Sequence, residues 1–73
     1  MIFQVWLEGH EATGSKTKAV LLGDYEAESF SEAIKEACLK NKMDSRYLSL
    51  DAEPSYWGCR FFDNENDARK TFG

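Results

Sequence analysis

Cys38, Cys59, His10 and three sets of carboxylates are the residues whose chemistry reaches beyond packing. A thiol beside an imidazole makes a nucleophile, and thiols with an imidazole hold zinc. Cys38 and Cys59 lack the C-x-x-C spacing of zinc or redox sites. His10 falls in Gly9–Thr17 (G-H-E-A-T-G-S-K-T), which reads as a long, mobile hairpin loop and a poor platform for catalysis or metal binding. Asp24, Glu26, Glu28 and Glu32 form one acidic set, Asp51 and Glu53 a second, and Asp63, Glu65 and Asp67 a third. Paired carboxylates serve acid–base chemistry or bind a hard cation. The first and third sets also sit where helix N-termini favour negative charge, so capping accounts for them without a site. D-N-E-N-D (63–67) alternates like a calcium loop but lacks the loop's glycine and terminal glutamate. No catalytic residue, metal ligand or cofactor is expected, and the chain reads as a non-enzyme.

The elements that must position these residues belong to a small chain. Seventy-three residues, read as one domain over 1–73, support only a modest core, so dense packing or oligomerisation is expected. The composition, 42% hydrophobic and 14% aromatic, suits dense packing. Thirteen acids against nine bases leave a formal charge of −4, which argues against a phosphate backbone or an anionic membrane as partner. No apolar run approaches membrane-spanning length and no signal segment precedes the first strand, so the chain reads as cytoplasmic with reduced thiols. A Cys38–Cys59 disulfide is disfavoured in that compartment.

Ile2–Glu8 alternates as a strand, and 18–27 reads as a second, with Ala19, Leu21 and Tyr25 on one side and Val20 and Leu22 on the other. Phe30, Ala33, Ile34, Ala37 and Cys38 form an apolar helical stripe. Ser29 with Glu32 predicts a capping box before it, and Asn41 a stop after it. Arg46–Leu50 reads as a third strand, Tyr56–Phe62 as a fourth, and Glu65–Phe72 as a final helix capped by Asp63 or Asn64. The expected fold is α+β: one antiparallel sheet of three to four strands in β-β-α-β-β-α order, the main helix on one face. Strand order stays open.

Within Tyr56–Phe62 (Y-W-G-C-R-F-F), strand alternation puts Trp57, Cys59 and Phe61 on the helix side and Tyr56, Arg60 and Phe62 on the other. Gly58 reads as a bulge or a close approach. The second face is then rich in rings, and two readings stand: the final helix folds over it, or it is an interface. The interface reading names Trp6, Tyr47, Tyr56, Arg60 and Phe62.

V-W-L-E-G (5–9), A-T-G (12–14), L-G-D-Y-E-A-E-S-F (22–30) and W-G-C-R-F-F-D-N-E (57–65) give the chain a cadence that resembles a set of short bacterial, phage and plasmid α+β proteins. That resemblance implies an accessory protein carried on a mobile element, and it transfers no functional residue. The expectation is a small protein–protein interaction module, meeting a protein partner or pairing as a homodimer through the aromatic sheet face. One alternative is an acidic nucleic-acid mimic using Asp24, Glu26, Glu28 and Glu32. The other is a single-stranded nucleic-acid binder that stacks bases on the sheet.

Overall fold

The apolar stripe of residues 30–38 needs a defined start to become a helix, and Ser29 supplies it. Ser29 keeps extended dihedrals, and its hydroxyl accepts from the Glu32 amide at 3.3 Å. Helix α1 therefore runs Phe30–Lys40. Glu32 reaches back to accept from the Glu28 amide at 3.2 Å, one residue before the partner a reciprocal box would use. At the other end, the Lys42 amide donates to the Leu39 carbonyl and the Met43 amide to that of Cys38. These two bonds make a Schellman motif, with Lys42 at φ 55° in the left-handed position where glycine is usual.

The computed structural model describes residues 1–12 and 15–70, and the side chains at 10–12 and 15–16 lie outside that description. Around α1 stand β1 (Ile2–Leu7), β2 (His10–Ala12), β3 (Ser15–Thr17), β4 (Val20–Glu26), β5 (Leu48–Ser49), β6 (Ser55–Tyr56), β7 (Cys59–Phe62) and a second helix, α2 (Glu65–Ala68). Five strands make one antiparallel sheet in the order β4-β1-β7-β6-β5. Strands β2 and β3 pair separately as a ribbon, so most of the expected loop is a hairpin instead. The α+β class, the antiparallel pairing and the main helix on one face agree with expectation; the strand number does not.

Three local departures have physical causes. Val5 pairs with Gly23 while Trp6 pairs with Leu21, so Leu22 is an extra residue on β4. That bulge reverses the alternation, and Leu22 joins Tyr25 on the helix side instead of opposing it. The Leu22 carbonyl accepts from the Tyr25 hydroxyl at 2.6 Å and from the Asn41 side-chain amide at 3.3 Å. Second, the expected strand over 46–50 starts as a 3-10 turn, Ser45–Tyr47, because the Asp44 carboxylate caps the Arg46 amide at 2.9 Å. Third, Tyr56–Phe62 is not one strand: Tyr56 pairs with Cys59 across a two-residue loop, Trp57-Gly58. Both loop residues have positive φ, 50° and 84°, the signature of a type I′ hairpin turn. Gly58 is there for its dihedral freedom, with no neighbour within 4 Å of where a Cβ would stand.

The core lies between α1 and the sheet, where Ala33, Ile34, Ala37 and Cys38 meet Val5 and Phe61. Phe30 packs on Phe3, ring centroids 5.8 Å apart. The sheet's other face is covered around Trp6, while Ile2 and Leu21 stay exposed toward its β4 edge. Trp6, Ala19 and Ala68 form a second buried cluster with Phe62 against it. Asn64 caps α2 by accepting from the Asp67 amide at 2.9 Å, and that turn aims Ala68 at the Trp6 cluster. Phe72, expected in this helix, lies outside the described residues.

Candidate interaction surface

The turn at Trp57-Gly58 decides which rings face water. Trp57, expected in the core, is 77% exposed, because a left-handed residue leaves the strand's alternation. Trp6, expected on the open surface, is only 8% exposed. Its indole N–H donates to the Gln4 side chain at 2.9 Å, and the Arg69 guanidinium lies 5.6 Å from the ring centre. Phe62 is half-buried beneath the Arg60 guanidinium, 5.2 Å from its ring centre. Arg60 is itself held by the buried Glu8 carboxylate, which accepts from its Nη2 at 2.9 Å and its backbone amide at 3.1 Å. Trp6, Arg60 and Phe62 therefore belong to a covered patch of that face. The covering that sequence reasoning found short comes from α2 and two arginines.

Tyr47, Tyr56 and Trp57 remain together at the sheet's far end. The Trp57 amide donates to the Tyr47 carbonyl at 2.9 Å, which continues the β5–β6 ladder by one step. The two rings lie 5.4 Å apart at 41°, and Tyr47 meets Tyr56 edge-on at 6.3 Å. Tyr47 is 44% exposed. Tyr56, expected on the face away from the helix, is half-buried against the α1-side core because the turn reverses the alternation, and its hydroxyl accepts from the Asp44 amide at 3.2 Å. Arg46 lies 5.8 Å from the Tyr47 ring centre while its Nε and Nη2 donate to Asp44 at 3.0 and 2.7 Å. That grip holds the Asp44 carboxyl below its ordinary range and pushes Arg46 up. Tyr47 and Trp57 thus form a braced, outward pair. Gly58, expected to be a bulge or a close approach, is the second residue of a turn: a glycine inside an alternating aromatic run also marks a place where the run can reverse.

Asp24, Glu26, Glu28 and Glu32 are all exposed, Asp24 and Glu26 on β4, Glu28 just before α1 and Glu32 in its first turn. Glu32 serves the helix start, and Glu26 accepts from the Met1 amino group at 3.0 Å. Both cysteines are free, and burial pushes each thiol up, Cys59 further aided by the charge of Glu8. Thiols shifted that way stay protonated at neutral pH. The His10 side chain lies outside the described residues. Among the described residues no helix is long and apolar enough to cross a membrane.

Beside the ring pair runs a groove of about 250 Å³ between the end of α1 and the 3-10 turn, lined by Lys35, Cys38, Leu39, Met43, Ser45 and Leu48. Leu39 stands at its rim, 75% exposed. No family model, curated protein or solved structure matches the chain.

Proposed function

We propose that the chain is a non-enzymatic interaction module that meets a protein partner through Trp57 and Tyr47. One observation carries the reading: a large ring stands in water on a residue held at positive φ. The left-handed conformation costs an L-residue about 1–2 kcal/mol, and asparagine, aspartate or glycine would hold the same turn with less strain. Fold stability alone therefore argues against tryptophan here, whereas contact with another molecule argues for it. Tryptophan and tyrosine are also the types that most often dominate binding energy. The tip is small, so the contact belongs with the weaker, transient interfaces.

Trp57→Asn tests this directly, because it removes the ring and suits the turn. The variant is expected to unfold within about 1 kcal/mol of the parent, since relief of strain offsets the lost ring contact. It is also expected to lose the protein captured by the parent chain from host lysate. Retained capture by a folded Trp57→Asn chain would sink the reading. Self-pairing would be the same contact made by a second copy. It would show as sedimentation that quickens with concentration in the parent and not in the variant.

A further inference from the structure

We infer that the groove beside the ring pair seats an acidic peptide segment of the partner, with a leucine- or phenylalanine-sized anchor between Leu39, Met43 and Leu48. The inference rests on the reading of the tip as a protein-binding surface and assigns the chemistry of what binds. Groove and tip are continuous through the 3-10 turn: Ser45 and Leu48 line the groove, and Tyr47 between them belongs to the ring pair. At about 250 Å³ the groove falls below the roughly 300–1,000 Å³ of pockets that enclose small-molecule ligands, and it suits protruding side chains instead. Its walls are apolar and adaptable, with Met43 able to repack around different anchors.

Charge selects the partner. The chain as a whole is acidic, yet residues 35–46 carry Lys35, Lys40, Lys42 and Arg46 against only Glu36 and Asp44. Both of those carboxylates are engaged locally, Glu36 with Lys40 at 3.9 Å and Asp44 with Arg46 at 2.7 Å. Among the described residues, Lys35 and Lys42 have no carboxylate within ion-pair distance, so both offer unshared positive charge, Lys35 from the groove wall and Lys42 from the residue before Met43. Lys42 is exposed and held at φ 55°, the left-handed position of the cap that ends α1. A nucleic acid is the poorer match: a phosphate chain needs a track of cations, whereas this groove is walled by Leu39, Met43 and Leu48 with Lys35 as its lining cation.

The test uses short fluorescein-labelled peptides of glutamate and leucine in amphipathic order, a counterpart with lysine for every glutamate, and a labelled oligothymidylate. The acidic peptide is expected to bind the full chain, to change Trp57 emission, and to weaken as salt rises. The basic counterpart should bind about tenfold weaker or worse, and Leu39→Glu should lower acidic-peptide affinity by a similar factor. Leu39 is exposed, so that variant folds; Lys35→Glu gives the same loss through charge alone. Equal binding of the two peptides, indifference to Leu39→Glu, or tighter binding of oligothymidylate would each overturn the inference. A partner lost with Trp57→Asn but kept with Leu39→Glu would overturn the groove and leave the tip standing.

Discussion

Trp6 and Trp57 are the two tryptophans of one small sheet, and they meet opposite environments. Trp6 sits inside a regular strand, beneath the short α2, with Gln4 taking its indole N–H and Arg69 closing over the ring. Trp57 sits one residue past a strand end, in a turn, with a single tyrosine ring beside it and water around the rest. Residue type does not separate them, since both are large, amphipathic and flanked by apolar neighbours. Backbone conformation does. Regular alternation hands Trp6 to whichever element covers its face, and two positive φ values take Trp57 off both faces. The first ring belongs to stability and the second is free for contact.

Truncation gives the widest separation between them. Trp6→Ala is expected to cost about 3–5 kcal/mol in urea unfolding, the range for emptying a buried aromatic site. Trp57→Ala is expected to change stability by about 1 kcal/mol or less. Equal losses would erase the contrast. A smaller effect concerns the other left-handed non-glycine residue, in the cap that ends α1. Lys42→Gly should raise stability by about 1 kcal/mol, because glycine carries no Cβ against the following carbonyl. An unchanged unfolding midpoint would show that Lys42 sits in its cap without strain.

The smallest effect is a pH dependence that compares the two ends. Arg46 holds Asp44 down beside the ring pair, and Asn64 first, then Lys70, holds Asp67 down in the helix that covers Trp6. A carboxyl depressed in the folded state adds stability above its ordinary value and loses it as pH falls through the lowered one. Asp44→Asn and Asp67→Asn should each flatten the fall in stability below about pH 4. Only Asp44→Asn should also alter Trp57 emission, through the loosened Arg46–Tyr47 contact.

Much of this was legible in the residues. The stripe from Phe30 to Cys38, the Ser29 cap and the alternation of β1 each depend on neighbours a few positions apart, and all three stand in the structure. Strand order depends on contacts between residues far apart in the chain, such as Trp6 with Phe62, and no local pattern announces them. The candidate surface was misplaced for a sharper reason. A run of alternating rings from Tyr56 to Phe62 looks like one strand until a single glycine is allowed to turn it. That turn exchanged Trp57 with the rings expected outside. Tyr47 was placed on the surface and stands there, although its neighbours form a 3-10 turn where a strand was expected.

The extra residue on β4 has a consequence for how copies of this chain behave in a crowded solution. A long outer strand normally invites another strand to add alongside it, and such addition can repeat without end into fibres. On β4 the chain kinks at its middle, and the Leu22 oxygen there is already shared between a phenol and an amide. An arriving strand finds its ladder interrupted at that rung, with the exposed Asp24 carboxylate beside it. Growth by edge addition halts on that flank.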